Sequence, residues 1–245
     1  MCVDPAFHNM GDLPTHHMQV GGLVMNGSRA AILDQMERSI FVYDMASSED
    51  RLYYELAYVL PEEVAKPEMM AGDHAGRLIV AGDGGQTLVT LSLSADSVEV
   101  TRIIKAQGCG YLDCLDVAGN NCLTSSLISG LCFRLTLGQK ELWEPLVQAR
   151  VTIPFQACFC GEEPVVLGRN PAEDWFIESA AGSAPVAGLS RVDFAMGFSV
   201  AGADRFAILS DTSVLTDSNE GWVTRLVVIR WADDKTELCA ELPID

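Results

Sequence analysis

Carboxylates are the most plentiful groups in this chain that could do chemistry. Asp113, Asp116 and Asp193 fall in or beside short apolar runs that read as β-strands, and Glu178 falls in another. A protonated and an ionised carboxyl facing each other across a cleft can act as acid and base on a glycosidic bond. The same side chains also cap turns, where they accept hydrogen bonds from backbone N–H groups. Asp113, Asp116 and Asp193 are therefore the candidates for catalysis, weighed against a structural use of each.

Other reactive groups are sparse or poorly spaced. Three of the four histidines, His8, His16 and His17, lie near Cys2, and no pair has the spacing of a zinc finger. Residues 1–17 read as an N-terminal arm. Cys158-Phe159-Cys160 places two thiols on one strand face, because strand side chains repeat every second residue. A soft metal would need two more ligands, for which Cys109 and Cys114 are the candidates. Most of the eight cysteines lie inside apolar runs, as buried free thiols do. No nucleophile elbow or dinucleotide fingerprint is present. Gly82-Asp83-Gly84-Gly85 joins two strands rather than opening the helix that a phosphate loop requires. The sequence predicts neither a metal nor a cofactor. Aromatic residues (Tyr43, Tyr53, Tyr54, Tyr58, Trp143, Trp175, Trp222 and Trp231) are spread along the chain. On a surface they would anchor a partner or stack on a sugar, and inside a sheet they would serve the core.

Charge narrows the partners. The 245 residues carry 34 acidic and 16 basic side chains, for a net charge of −18. Nucleic-acid binding needs a basic footprint, and an anionic membrane surface would repel this chain. A protein partner with a basic surface is the expected one. The longest apolar runs, such as residues 226–229, are too short to span a bilayer, and residues 1–20 lack the pattern of a signal peptide. With free thiols, this predicts the cytoplasm or another reducing intracellular compartment.

The elements that must position these residues form a repeat. Apolar runs starting at 40, 87, 131, 174 and 222 recur every 43–48 residues. A second set, starting at 30, 77, 122, 164 and 205, recurs every 41–47. Gly82-Asp83-Gly84-Gly85, Gly119-Asn120-Asn121 and Gly202-Ala203-Asp204 supply hairpin turns between runs. About four strands per unit matches the blade of a β-propeller. The fold class predicted is all-β, a five-bladed β-propeller of four-stranded antiparallel blades, with a β-sandwich as the alternative. The arm at 1–17 precedes one domain over 18–245, with units near 18–62, 67–106, 110–151, 154–192 and 193–245. Two segments read ambiguously. The stripe Leu52, Leu56, Val59 and Leu60 within residues 48–60 fits an amphipathic helix, and residues 62–70 fit a helical turn or loop. The fourth strand of the fourth unit, among the small residues 180–190, is hard to see.

Residues 39–48, Ser-Ile-Phe-Val-Tyr-Asp-Met-Ala-Ser-Ser, resemble the third strand of a WD40-type blade, with Tyr43-Asp44 where that family often has Trp-Asp. Residues 76–91, Gly-Arg-Leu-Ile-Val-Ala-Gly-Asp-Gly-Gly-Gln-Thr-Leu-Val-Thr-Leu, resemble the second and third strands of the next blade. The other three units share the rhythm alone. Leu91-Ser92 and Leu135-Thr136 stand where a Trp-Asp pair would fall, and His74 is followed by Ala75 rather than preceded by glycine. The small ring, the lack of a catalytic signature, the intracellular composition and the acidity together predict a non-catalytic protein-interaction module, a subunit or scaffold of a larger intracellular assembly. The alternative is a small-molecule or carbohydrate site at the propeller channel, lectin-like or glycosidase-like. Asp4-Pro5 resembles the opening of some five-bladed glycosidases, without the tyrosine-rich strand that follows there.

Overall fold

Each repeat of four runs folds into one antiparallel sheet whose spatial order is the chain order, so each strand pairs with its predecessor. The computed structural model describes residues 19–44, 54–73, 75–94, 97–105, 112–137, 142–202, 204–215 and 220–244. It is an all-β fold, a β-propeller of five four-stranded blades, with no helix among the described residues. The chain divides into two compact units, Met1–Tyr111 and Leu112–Asp245.

The first unit holds two blades. One comprises β1 (Val20–Asn26), β2 (Arg29–Asp34), β3 (Ser39–Asp44) and β4 (Tyr54–Val59). The next comprises β5 (Pro67–Gly72), β6 (Arg77–Gly82), β7 (Thr87–Leu93) and β8 (Val98–Lys105). Leu33, Ile40 and Val42 of one blade and Met70, Leu78, Val80 and Val89 of the other share a single buried cluster. The alternate residues Ala30, Phe41, Ile79 and Leu88 are buried as well, on the other faces, which is why β2, β3, β6 and β7 read as nearly continuous apolar runs.

The structure settles both ambiguous segments: residues 62–66 are the turn or loop expected, and the remainder of each segment that is described is mostly strand. Residues 54–59 form a strand, because Leu56 and Tyr58 pair with Val42 and Ile40 of β3 and pack against the core. Val59, on the supposed helical stripe, is 68% exposed, so the period there is two. Residues 67–72 are the first strand of the second blade, opening at Pro67, where a missing N–H is tolerated. Residues 48–53 lie outside the described residues.

The second unit holds three blades. They are β9 (Cys114–Ala118), β10 (Asn121–Ser126), β11 (Leu131–Thr136) and β12 (Leu142–Leu146); then β13 (Ile153–Cys160), β14 (Glu163–Arg169), β15 (Trp175–Ser179) and β16 (Gly182–Pro185); and finally β17 (Asp193–Val200), β18 (Arg205–Leu215), β19 (Glu220–Ala232) and β20 (Lys235–Ile244). The fourth strand that the sequence obscured is β16. It is four residues long, with Ala184 buried, and the fully buried Ile177 is its partner on β15. The fifth blade has the longest strands.

The repeat extends to backbone detail. The first strands of four blades carry a β-bulge near their start, at Val20/Gly22, Pro67/Met69, Pro154/Gln156 and Ala195/Gly197. A bulge bends the strand and strengthens its twist. Gly82, the last residue of β6, and Gly168, the last but one of β14, sit in matching surroundings. A Cβ on Gly82 would meet the Lys66 carbonyl oxygen at 2.5 Å and a Val64 methyl at 2.6 Å. On Gly168 it would meet the Ile153 carbonyl oxygen at 2.3 Å and a Val151 methyl at 2.5 Å. In both blades the entering chain crosses the end of the second strand at backbone contact, so only glycine fits.

Candidate functional site

The sequence-selected carboxylates are held by backbone N–H groups. Asp113, just before β9, accepts a hydrogen bond from the Leu127 N–H at 2.6 Å. Asp116 on β9 reaches the next blade and accepts from the Phe159 N–H at 2.7 Å. Burial pushes the Asp116 carboxyl above its ordinary value, and its backbone hydrogen bonds oppose this only in part. Glu178 on β15 is buried and accepts from three successive N–H groups, Ala149 at 2.5 Å, Arg150 at 3.0 Å and Val151 at 2.8 Å. It thereby fixes the segment that links the third blade to the fourth.

Asp193, at the start of β17, is fully buried. Its carboxylate accepts from the Ser190 N–H at 2.5 Å, the Ser190 hydroxyl at 2.8 Å and the Thr212 hydroxyl, and it pairs with Arg225 at 2.7 Å. Burial would raise its pKa, but the hydrogen bonds from Thr212 and Ser190 and the Arg225 contact outweigh that and hold it below the ordinary range. Arg225 also pairs with Glu241 on β20 at 2.6 Å and donates to the Gly188 carbonyl at 3.1 Å. Arg169 donates to the Asp193 carbonyl at 2.6 Å and lies over the Phe155 and Trp175 rings. The three catalytic candidates thus occupy separate hydrogen-bonding networks. Each clamps a loop or a neighbouring strand.

Most of the described thiols lie deep. Cys114, Cys122, Cys132 and Cys158 are buried, and Cys160 is partly so. Cys114 accepts from the Ser125 hydroxyl at 2.9 Å, and burial pushes its thiol up to about 11. Burial raises Cys122, Cys132 and Cys158 as well. Among the described residues no three His, Cys, Asp or Glu side chains converge as a metal site. Cys2, Cys109, Asp4, the three N-terminal histidines, Tyr53 and Ala203 lie outside the described residues.

Of the aromatics, Trp175 is buried and donates its indole N–H to the Ser190 carbonyl at 2.9 Å, and Tyr43 is buried. Trp231 is half-buried. It packs on Phe206 with ring centroids 6.1 Å apart and donates to the Asp233 carbonyl at 3.1 Å.

The surface of the second unit is unevenly apolar. Sixteen large apolar side chains are exposed among the described residues, and seven belong to the last blade and its approach: Val192, Phe194, Met196, Val223, Leu238, Leu242 and Ile244. β20 is the edge of its sheet, paired on one side only. Leu242 lies opposite Leu226, Ala240 opposite Val228 and Ile244 opposite Thr224, so one sheet face carries a continuous apolar strip. Nothing along the chain signals this strip, because an apolar strand at an edge and one in a core look alike. An open cavity of about 500 Å³ lies where the fourth and fifth blades meet, lined by Ser179, Ala181, Trp231, Asp233 and Asp234.

Neither a protein-family model nor a curated protein sequence matches the chain. Solved structures do resemble it in fold. A chain of Kuenenia stuttgartiensis hydrazine synthase matches with a TM-score of 0.64 at 11% identity, over 97% of this chain and 70% of that one. A chain of the nidogen/laminin complex matches with a TM-score of 0.57 at 12% identity, over 91% and 86% respectively. Kluyveromyces lactis Hsv2 matches with a TM-score of 0.57 at 9% identity, over 93% of this chain but 63% of that one. At these identities the shared property is the fold.

Proposed function

We propose that this chain is a protein-interaction module that docks a partner through its last blade. The observation that carries this reading is the concentration of exposed apolar side chains there, and above all the strip of Leu226, Val228, Leu242 and Ile244. Contiguous exposed apolar surface rimmed by polar groups marks interaction sites. Asp233 and Asp234 stand exposed in the turn before β20, while Glu237 and Glu241 on that strand are paired with Arg230 and Arg225. With a net charge of −18, this favours a partner whose contact surface is apolar at its centre and basic around it. Asp113, Asp116 and Asp193 each accept a backbone N–H in separate networks, which supports a scaffold use of them over an acid–base site. One structure similar in fold is the nidogen/laminin complex, where such a chain belongs to a protein assembly. A WD40-like interaction role, as a subunit or scaffold, is consistent with that reading.

The test is affinity capture from the native source with the wild-type chain and with the Leu242→Asp/Ile244→Asp variant. Both positions are about half exposed, so the variant is expected to keep its thermal stability. A stoichiometric partner retained by wild type and lost by the variant supports the reading. A partner held equally by both places the interface elsewhere.

A further inference from the structure

The cavity at the junction of the fourth and fifth blades is built from two hairpin turns. Ser179 ends β15 and Ala181 lies in the turn after it, and Asp233 and Asp234 come from the turn between β19 and β20. Trp231 forms its remaining wall. Three observations define its chemistry. First, the indole is fixed by its packing on Phe206 and by its hydrogen bond to the Asp233 carbonyl. Second, Asp233 adopts a φ of 55°, a left-handed conformation uncommon outside glycine, asparagine and aspartate, and this sets the shape of the turn. Third, the Asp234 carboxylate reaches back across the junction. Its Oδ1 lies 3.6 Å from where a Cβ on Gly182 would stand. The cavity thus joins a rigid aromatic wall to two exposed carboxylates.

We propose that this cavity receives a lysine or arginine side chain of the docked partner, carried on an extended segment. The inference rests on the interaction-module reading and adds a contact on the other face of the last blade, the one that Trp231 and Leu238 share with Val227 and Ile229. An ammonium or guanidinium over an indole is attracted by the ring quadrupole, and a neighbouring carboxylate adds to that attraction. A neutral sugar could stack on the indole and donate its hydroxyls to the carboxylates, but it would leave their charge uncompensated, whereas a cation uses both the ring and the charge. The register of β20 sets what the segment carries next. Thr236 lies opposite Trp231, and Leu238, 46% exposed, lies two residues further along, beside Gly188 of the fourth blade. Two strand residues span about 7 Å. An extended partner segment laid along this seam places a basic side chain in the cavity and an apolar side chain, two residues away, against Leu238. Thr236 holds the seam together, accepting from the Ala187 N–H at 2.7 Å and donating to the Pro185 carbonyl at 2.7 Å. The ledge along which the segment would lie is therefore fixed before binding, which lowers the cost of association.

The test uses the full chain and an acetylated, amidated peptide Gly-Arg-Gly-Leu-Gly, followed by NMR of the tryptophan indole N–H signals. The expected result is saturable movement of the Trp231 signal. Replacing the arginine by the uncharged citrulline is expected to weaken binding about three- to tenfold, and so is the Asp233→Asn/Asp234→Asn variant. Both substitutions lie on an exposed turn, so the variant is expected to retain its melting temperature. A Trp231 signal unmoved by the peptide overturns the inference, and so does movement indifferent to the arginine charge. If the affinity capture described above still finds a partner lost on Leu242→Asp/Ile244→Asp, the interaction module stands and only this contact falls. If capture finds none while the peptide binds with charge selectivity, the contact stands without the wider interface.

Discussion

Asp116 of β9 accepts a hydrogen bond from the backbone N–H of Phe159 on β13 at 2.7 Å, tying the first strand of one blade to the first strand of the next. Burial raises the pKa of this carboxyl. An acid whose folded pKa lies above its unfolded value binds more protons when folded, so stability falls as pH rises from the ordinary carboxylate value through the raised one. Asp116→Asn keeps an acceptor for Phe159 and removes the buried charge. It is expected to leave the neutral-pH melting temperature unchanged or higher, whereas Asp116→Ala, which orphans the N–H, costs about 1–3 kcal/mol. Paired thermal melts at pH 5 and pH 7.5 check both.

Asp193 has the opposite sign. Its pKa is held below the ordinary value, so its contribution is present above that value and lost as pH falls through the depressed one. Asp193→Ala leaves Arg225 without its buried partner and the Ser190 N–H without an acceptor, and is expected to destabilise by about 3–5 kcal/mol. Urea unfolding from pH 7 down to pH 3 should show wild type losing stability over the acid range and the variant losing less. Parallel curves would remove Asp193 as the group responsible.

Glu178 offers a sharper structural test, because one carboxylate satisfies three consecutive N–H groups. Glu178→Ala is expected to cost about 3 kcal/mol or more, with the loss centred on residues 149–151. Hydrogen exchange is the measurement: protection at Ala149, Arg150 and Val151 should fall more than at the blade interiors.

Thiol chemistry should divide the described cysteines. Cys239 is exposed, whereas Cys114, Cys122, Cys132 and Cys158 are buried, with thiols raised by that burial. At pH 8 a disulfide reagent is expected to modify Cys239 promptly and those four only on unfolding. Peptide mapping after a short exposure decides it.

Gly168→Ala would drive a methyl group into the Ile153 carbonyl oxygen, the Val151 side chain and the Pro154 backbone. The expected cost is about 1–3 kcal/mol or more, read from the urea midpoint. Gly119→Ala, whose Cβ meets nothing within 4 Å, should show only the smaller penalty of a left-handed backbone at φ 55°.

The repeat was legible because its cause is local. Runs such as Arg77–Gly82 and Thr87–Leu93 must be apolar on both faces when a blade is covered on both sides, and glycine and aspartate must stand where the chain reverses, as in the left-handed Asp83, Gly84 and Gly85. Number of units, strands per unit and most hairpins follow from those two demands. What failed locally was decided by partners distant in sequence. Residues 54–59 became a strand because β3 offers Ile40 and Val42 to pair with, and β16 exists because β15 offers Ile177. The roles of the carboxylates were equally hidden. Asp113, Asp116, Asp193 and Glu178 look alike along the chain, but their chemistry depends on which N–H groups face them, some from residues 27–43 positions away. The apolar strip on β20 and the cavity at Trp231 arise only when a strand is placed at a sheet edge and two turns meet across a blade junction. Composition and spacing determined the blades; the tertiary structure alone decided which side chains clamp the scaffold and which remain on the surface.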